Sequence, residues 1–278
     1  MEDQYDACFD AAVEIARKAG EMIREAFHKP KCITAKGCAT DLVTETDEAV
    51  EKMIIGHLRE RFPDHNFIGE ESTAAGARCV FDERPTWMID PVDGTTNFVH
   101  RFPYVAVSIG FLAKKEFVFG VIYNAPQDIM YTGRTGKGAF RNGEAISASG
   151  VQQLNQSLVL LEIGSSREAE HLDEKVRNYH NLAKHPVRSI RSLGSAALNM
   201  CAVASGEGEA YCETGMHCWD VAAGTVILRE AGGYVCDPDG TELDVMSRRC
   251  LATCSENVAK EMISVAKYNA PLARDDAA

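Results

Sequence analysis

Closely spaced apolar segments rich in β-branched and aromatic residues fill the centre of the chain, and they constrain its fold more than any other feature. The segments NFIGEE, TWMID, YVAVSIGFLA and EFVFGVIYN follow one another between residues 66 and 124, and SLVLLEIG follows at 157–164. Short runs of this composition predict β-strands. The segment GKGAFRNGEAI predicts a hairpin with Asn142 and Gly143 at its turn. We therefore expect sheet structure in the middle of the protein.

Segments with helical patterns flank and separate these strands. Apolar residues at helical spacing predict a helix over 5–27, and a second helix follows Thr46 and Asp47, either of which could cap its start, and ends at Pro63. Helices are also predicted over 168–184, in GSAALNMCAVASG and in WDVAAGTVILREAGG. A strand is predicted in EAYCE, between the last two of these helices. The segment SRRCLATC and a helix over 256–268 complete the pattern. Because helices and strands alternate in blocks, we expect sheets layered between helices. No repeat or linker marks a boundary, so we expect a single domain over 1–278.

Composition and charge exclude several classes of function. The chain has 278 residues, 45% of them hydrophobic, and a formal net charge of -12. This charge disfavours nucleic-acid binding, which depends on basic contacts to phosphates, but a bound cation would still allow a phosphorylated substrate. No apolar run reaches the roughly 18 residues of a membrane span. The acidic start differs from an export signal, so we expect a cytoplasmic protein without a membrane partner.

The ten cysteines form no C-x-x-C pair and no regular framework. Cys212 and Cys218 lie six apart near His217, a poor match to zinc-finger spacing. We expect reduced thiols, mostly buried as small hydrophobic groups. His217 is expected to be a packed core histidine and not a ligand.

Two acids end a strand-like run in the segment WMIDPVDGTTN. The run delivers Asp90 to its carboxyl end, Pro91 is expected to stop the strand, and Gly94 permits a tight turn before a possible helix. The amino end of a helix attracts anions, yet Asp90 and Asp93 would repel a phosphate unless a divalent cation lay between them. Mg²⁺ is commonly held by one or two carboxylates plus substrate phosphate. A solvated turn and a magnesium site both remain open here.

Other acids occupy similar places at the ends of predicted elements. Glu70 and Glu71 end the NFIG run, Asp220 opens a helix, and Asp41 and Asp47 frame the segment DLVTETD. Helix capping alone explains many aspartates such as Asp47 and Asp220, and surface charge explains Glu71. Spacing does not show whether such distant acids meet.

A set of ordered motifs carries a family resemblance over nearly the whole chain. These motifs are DLVTETD at 41–47, GEES at 69–72, WMIDPVDGTTNFVHRFP at 87–103, GSSR at 164–167, RSLGSAALNMC at 191–201 and GMHCWDVAAG at 215–224. Together they closely resemble the inositol monophosphatases, particularly the animal cytosolic enzymes. The resemblance implies a fold between α/β and α+β, namely a layered α-β-α-β-α sandwich of the inositol monophosphatase and fructose bisphosphatase type.

The resemblance also implies two or three Mg²⁺ ions in one site. Glu70, Asp90 and the backbone carbonyl of Val92 match the first ion's ligands. Asp90, Asp93 and Asp220 match those of the second, and Glu70 also approaches a third, more weakly held ion.

Catalytic and substrate-binding residues follow from the same matches. Thr95, paired with Asp47, resembles the hydroxyl that orients the attacking water together with Glu70, and the N–H groups of Gly94 and Thr95 would hold phosphate oxygens. The alcohol half of the substrate would lie near Asp93, Gly194, Ser195, Ala196, Glu213 and Asp220. Lys36 and Ser165 match positions near the site, although a surface lysine and a turn serine explain them equally simply.

The activity implied is Mg²⁺-dependent hydrolysis of myo-inositol monophosphates by water, without a phosphoenzyme, in a lithium-sensitive homodimer. One alternative is a related lithium-sensitive phosphatase acting on a phosphoadenosine nucleotide, fructose bisphosphate or an inositol polyphosphate. Another is a non-catalytic binding protein that keeps the fold.

Overall fold

A computed structural model of the protein describes residues 4–35, 42–268 and 272–277. Its helices are α1 (Asp6–Phe27), α2 (Glu45–Arg61), α3 (Glu70–Ala74), α4 (Thr95–His100), α5 (Ala169–Lys184), α6 (Ala196–Ala204), α7 (Cys218–Glu230) and α8 (Glu256–Val265). Its strands are β1 (Ile33–Ala35), β2 (Leu42–Thr44), β3 (Asn66–Gly69), β4 (Thr86–Asp93), β5 (Ala106–Ala113), β6 (Glu116–Asn124), β7 (Ile129–Arg134), β8 (Gly138–Arg141), β9 (Glu144–Ala145), β10 (Leu158–Leu161), β11 (Ser189–Arg191), β12 (Ala210–Thr214), β13 (Tyr234–Cys236) and β14 (Arg249–Thr253).

The larger sheet has seven strands in the order β3-β4-β5-β6-β7-β8-β9. Only β3 and β4 run parallel, and the later pairs are antiparallel. α1 and α2 cover one face through a core of small and aliphatic residues on α1 packed against Trp87, Phe111 and Phe119 of the strands. Both faces of β4 and β5 are buried, which explains their continuous apolar sequences.

The opposite face of this sheet packs against α7 at unusually short range. Gly110, Gly120 and Gly133 lie side by side on β5, β6 and β7. A Cβ at Gly120 would lie 2.2 Å from the carbonyl oxygen of Ala223 on α7. The glycine row therefore lets the α7 backbone approach the sheet, and this packing fixes the helix that carries Asp220.

A five-stranded sheet in the order β11-β10-β12-β14-β13 lies beyond α6 and α7. β10 is parallel to both β11 and β12, whereas β14 is antiparallel to β12 and β13. One apolar core joins this sheet, α6, α7 and the inner face of the larger sheet, and α8 contacts β14 and α5. The expected α-β-α-β-α sandwich is confirmed.

Several boundaries differ from the sequence predictions. The strand predicted in NFIGEE ends at Gly69, and Glu70 and Glu71 begin α3 instead. α2 begins at Glu45 and its N-cap residue is Thr44, so neither Thr46 nor Asp47 occupies the N-cap position, although the Asp47 carboxylate accepts from the Thr44 N–H as part of a capping box. The strand β4 does not stop at Pro91 but continues to Asp93, because a register shift accommodates the proline. The last helix ends at Val265 instead of 268.

Several short elements were not predicted, namely β1, β2, β7, β11, β13, α3 and a 3₁₀ turn at Leu154–Gln156. The predicted Asn-Gly hairpin is confirmed as β8 and β9. Seven of the nine described cysteines are buried and all nine are free thiols, as predicted. Within the described segments, no helix combines the length and apolar character needed to cross a membrane.

Candidate active site

A cleft of about 950 Å³ opens where the carboxyl ends of β3 and β4 meet the amino ends of several helices. Residues at the starts of α3, α4, α6 and α7 line it. Helix amino ends carry unsatisfied N–H groups and partial positive charge. This arrangement favours anionic groups, and most of the predicted acids lie here.

Glu70 is the first residue of α3, directly after β3. Because β3 runs parallel to β4 with Gly69 opposite Ile89, Glu70 leaves the sheet beside Asp90. Both carboxyl groups line the cleft.

A carboxylate from another helix caps α3. Gly69 occupies the N-cap position and has no capping side chain. The buried carboxylate of Glu51 on α2 accepts hydrogen bonds from the N–H groups of Glu71 at 2.6 Å and Ser72 at 2.8 Å. A Cβ at Gly69 would lie 2.6 Å from this carboxyl group. Glu51 therefore holds the turn that carries Glu70.

A bulge in β4 brings Asp90 and Asp93 to the same cleft. Asp90 pairs with Ser108 and Asp93 with Ala106, so β4 has one extra residue between them. Residues three apart in a regular strand point to opposite faces. A bulge re-aims side chains, and here both aspartates line the cleft.

Asp93 also caps α6. Its carboxylate accepts hydrogen bonds from Ser195 Oγ at 2.5 Å and from the N–H groups of Ala196 at 3.2 Å and Ala197 at 2.8 Å. Ser195 is itself buried and accepts from the N–H of Leu198. The start of α6 is therefore attached directly to the end of β4.

Asp220 lies in the first turn of α7 and accepts a hydrogen bond from the N–H of His217 at 2.7 Å. Asp275, near the chain end, accepts from the N–H of Cys218 at 2.7 Å and lies 2.6 Å from His217 Nδ1. The imidazole of His217 stacks on Trp219 with ring centroids 4.5 Å apart. The predicted core position of His217 is wrong, because its side chain is 37% exposed and lines the cleft. Asp275 supports the turn that carries Asp220.

Asp47 and Thr95 form a buried pair beside the cleft. Asp47 accepts hydrogen bonds from the N–H of Thr44 at 3.0 Å and from its hydroxyl group. Thr95 Oγ lies 3.0 Å from Asp47 Oδ1 and 3.1 Å from the carbonyl oxygen of Val92. A hydroxyl has one proton to donate and two lone pairs. Thr95 can donate to Asp47 and still accept a hydrogen bond from a water molecule.

The acids of the cleft raise one another's pKa values. Burial raises the pKa of Asp90 well above its usual range, and Glu70, Asp93 and Asp220 raise it further. Burial, followed by Asp93 and Glu70, likewise raises the pKa of Asp220. Burial raises the pKa of Asp47 and of Asp93 to about 6. The cleft therefore concentrates negative charge that a bound cation would stabilise.

The donor set fits a hard divalent cation. Within residues 4–35, 42–268 and 272–277, no three acidic, imidazole or thiol groups already converge on one point as metal ligands. Asp93 and Asp220 instead accept hydrogen bonds from helix N–H groups, which leave other lone pairs free because a carboxylate has about four. Oxygen ligands with excess negative charge suit Mg²⁺.

Glu213 on β12 lies at the other end of the cleft. Its Oε2 accepts a hydrogen bond from the hydroxyl of Tyr211 at 2.6 Å. Burial raises the pKa of Glu213 to about 7, with a further increase from Glu162 and a decrease from Lys175. Glu213 can therefore accept hydrogen bonds from hydroxyl groups of a ligand when it is ionised.

Glu162 organises the loop before α6. Its carboxylate accepts hydrogen bonds from Ser192 Oγ, the N–H groups of Leu193 and Gly194, and Asn199 Nδ2, at 2.6, 2.7, 2.9 and 2.9 Å. Four donors on one carboxylate hold this loop in a defined conformation. Gly194 and the first residues of α6 line the cleft as a result.

Two of the remaining predicted positions, Gly94 and Ser165, line the cleft. Gly94 lines the cleft in a left-handed conformation with φ of 91°, and Ser165 is exposed at the cleft edge. Lys36 and Asp41 lie outside the described residues.

The sequence analysis missed three residues of the site: Glu51, which caps α3, and Glu162 and Lys175, which line the cleft. Glu51 follows Asp47 by four residues on the buried face of α2. An acid at such a position is a detectable signal, because acids are almost never fully buried without partners. Glu162 and Lys175 lie in segments without a comparable local signal.

Known proteins match the chain along its length. Residues 4–269 match the profile described as the Inositol monophosphatase family. The chain is 51% identical over 280 aligned positions to inositol monophosphatase 1 of Mus musculus, covering 99% of each chain. It is 48% identical over 272 positions to inositol monophosphatase 2 of Homo sapiens, covering 98% of this chain and 94% of that one. The crystal structure of extragenic suppressor protein suhB from Bartonella henselae superposes with a TM-score of 0.84 at 29% identity, covering 94% of this chain and 98% of that one.

Proposed function

The chain belongs to the inositol monophosphatase family and is a phosphatase, and on this premise we propose that it hydrolyses myo-inositol monophosphates to inositol and phosphate with Mg²⁺ bound. The observation that carries this proposal is the meeting of Glu70, Asp90, Asp93 and Asp220 in one cleft, where they raise the pKa values of Asp90 and Asp220. These acids come from three different elements, so their proximity is a property of the fold.

We propose that the cleft holds two or three Mg²⁺ ions. Glu70, Asp90 and the carbonyl of Val92 would bind the first ion, and Asp90, Asp93 and Asp220 the second, with Glu70 near a third. When bound, the ions supply a water of lowered pKa and neutralise charge on the phosphate and the leaving oxygen.

The chain's own residues would position the reactants. Glu70 and the Thr95–Asp47 pair orient the attacking water, and Glu70 accepts its proton. The N–H groups of Gly94 and Thr95 hold phosphate oxygens at the start of α4. The water oxygen bonds to phosphorus while the bond from phosphorus to the alcohol oxygen breaks, and the alcohol takes up a proton from solvent. No protein group becomes phosphorylated.

Phosphate release from inositol 1-phosphate, measured with and without Mg²⁺, tests this proposal directly. We expect hydrolysis that depends on Mg²⁺ and is inhibited by Li⁺ at high millimolar concentration. Parallel assays with phosphoadenosine nucleotides, fructose bisphosphate and inositol polyphosphates test the related phosphatases. Faster hydrolysis of one of these would replace the proposed substrate, and no activity on any ester would favour a binding protein that keeps the fold.

Asp220→Asn tests the assignment of the second ion's ligands. The amide nearly keeps the shape of the carboxylate but removes one ligand charge. We expect kcat at saturating Mg²⁺ to fall at least about a hundred-fold, since even indirect support of metal ligands is worth about 10–100-fold. The matched control is Asp173→Asn on the exposed surface of α5, which should leave kcat unchanged. Near-normal turnover of Asp220→Asn would remove Asp220 from the ligand set.

We also propose a cytoplasmic homodimer. The nine free thiols among the described residues support a reducing compartment. The dimer follows from the family resemblance, and light scattering of the purified chain measures its mass. A monomer at micromolar concentration would contradict it.

A further inference from the structure

Lys175 on α5 places a cation between two loops of the cleft. Its Nζ donates hydrogen bonds to the carbonyl oxygens of Ile163 at 2.8 Å and Thr214 at 2.7 Å. Ile163 follows β10 and Thr214 ends β12, which are parallel neighbours. Lys175 therefore ties together the two loops that leave the carboxyl ends of these strands.

Glu213 faces this ammonium group across Gly164. A Cβ at Gly164 would lie 2.9 Å from Lys175 Nζ and 3.3 Å from Glu213 Oε1. Because both atoms lie this close to the same point, Nζ and Oε1 are near neighbours, and all three residues line the cleft. No direct ion pair joins Lys175 to Glu213 in the described parts of the chain. Burial lowers the pKa of Lys175 and raises that of Glu213, and each group partly offsets the shift of the other.

The two groups have hydrogen-bonding capacity left for a ligand. An ammonium group has three N–H donors, and Lys175 uses two of them on backbone carbonyls. Glu213 uses Oε2 for Tyr211, and its Oε1 faces the gap. One end of the cleft thus offers a cationic donor and an anionic acceptor side by side.

A pair of adjacent hydroxyl groups is complementary to this arrangement. One hydroxyl oxygen can accept from Lys175 Nζ while its neighbour donates to Glu213 Oε1. Sites built to hydrogen-bond hydroxyl groups reject analogues that lack them, because the buried polar groups are then left without partners.

We propose that Lys175 is a specificity-determining residue that, with Glu213, selects phosphate esters whose alcohol carries two adjacent hydroxyl groups. This inference rests on the proposed phosphatase function and adds to it a cationic contact from α5. Lys175 acts on the alcohol half of the substrate and takes no part in the attack on phosphorus.

Lys175→Met removes the charge and the donors while keeping an unbranched side chain. Its kcat and KM are measured with inositol 1-phosphate and with n-propyl phosphate, which has no free hydroxyl group. We expect the ratio of the two kcat/KM values to fall about ten-fold or more, since hydrogen bonds to charged groups have effects of this size. The change should appear in KM for inositol 1-phosphate, with kcat for both esters and KM for n-propyl phosphate altered less than about three-fold.

Lys184→Met is the matched control, because Lys184 is an exposed lysine on the same helix. It should leave the ratio unchanged. Equal losses of kcat on both esters in Lys175→Met would indicate only a structural tether and would overturn the inference, as would an unchanged ratio. If the unsubstituted protein hydrolyses neither ester, the proposed function itself fails, and the two failures are therefore distinguishable.

Discussion

At the residue scale, the same carboxylates cap helices and line the cleft. Asp93 accepts from the first N–H groups of α6, and Asp220 accepts from the N–H before α7. Asp47 does the same at the start of α2. Asp47 and Asp220 therefore cap helices, as the simpler explanation predicted. A capping role is compatible with a functional role for the same carboxylate. A capping hydrogen bond holds the carboxylate in one orientation and leaves other lone pairs for a ligand.

Glu213 provides a pH-dependent prediction at this scale. Its carboxyl is protonated below its pKa of about 7, which burial raises, and it becomes a pure acceptor above that pH. We expect the kcat/KM ratio of inositol 1-phosphate to n-propyl phosphate to rise between about pH 6 and about pH 8. Comparing two monoesters cancels the titration of the substrate phosphate. Glu213→Gln should lower the ratio about ten-fold and abolish its pH dependence; an unchanged pH dependence would show that another group is responsible.

At the scale of elements, the site depends on how short helices are attached to strands. α3 has five residues, too few to be stable as an isolated helix. Its start is held by Glu51 from α2, and the start of α6 is held by Asp93 from β4. Neither cap is local in sequence, so each depends on the packing of another element.

Glu51→Ala tests whether the remote cap of α3 positions Glu70. We expect a loss of about 0.5–2 kcal/mol in the free energy of unfolding, typical of a lost cap. We also expect a higher Mg²⁺ concentration for half-maximal activity, because Glu70 would lose its fixed position. Denaturant titration and Mg²⁺ activation curves measure the two effects.

Glu48→Ala is the matched control for this prediction, since Glu48 is exposed on the same helix. It should change neither quantity. If Glu51→Ala lost stability while its Mg²⁺ activation curve stayed that of the unsubstituted protein, the cap would serve folding alone.

At the scale of the whole molecule, five layers bring together acids that are up to 150 residues apart in the sequence, from Glu70 to Asp220. The row of glycines beneath α7 places that helix against the larger sheet, while α6 and α7 share one core with the smaller sheet. The cleft forms where these layers meet. Packing energy thus holds like charges close together, at a cost to stability when no cation is bound.

Asp90→Asn measures that cost. Asp90 has a raised folded-state pKa, so its ionised form destabilises the fold above the ordinary aspartate pKa of about 4. In a chelator at about pH 8, we expect the variant to unfold at a higher temperature than the unsubstituted protein by roughly 2–4 °C, equivalent to about 1 kcal/mol. Added Mg²⁺ should then raise the unfolding temperature of the unsubstituted protein more than that of the variant.

Asp173→Asn, which changes an exposed acid, controls for the loss of one negative charge and should not shift the unfolding temperature in chelator. A less stable Asp90→Asn protein in chelator, or an equal gain from Mg²⁺, would contradict the charge-repulsion explanation.

The local pattern of the sequence was enough to predict the long elements and the motifs. Apolar spacing identified α1, a polar helical stretch identified α5, apolar runs rich in β-branched and aromatic residues identified β5 and β6, and Asn-Gly identified the hairpin. Each signal depends on neighbours a few residues away. The ordered motifs also identified the family before any distance was known. The bulge at Pro91, the caps made by Glu51 and Asp93, and the Lys175–Glu213 gap could be recognised only in the tertiary structure. Each joins groups from separate segments, and the energy of such a contact depends on packing that no local sequence window contains.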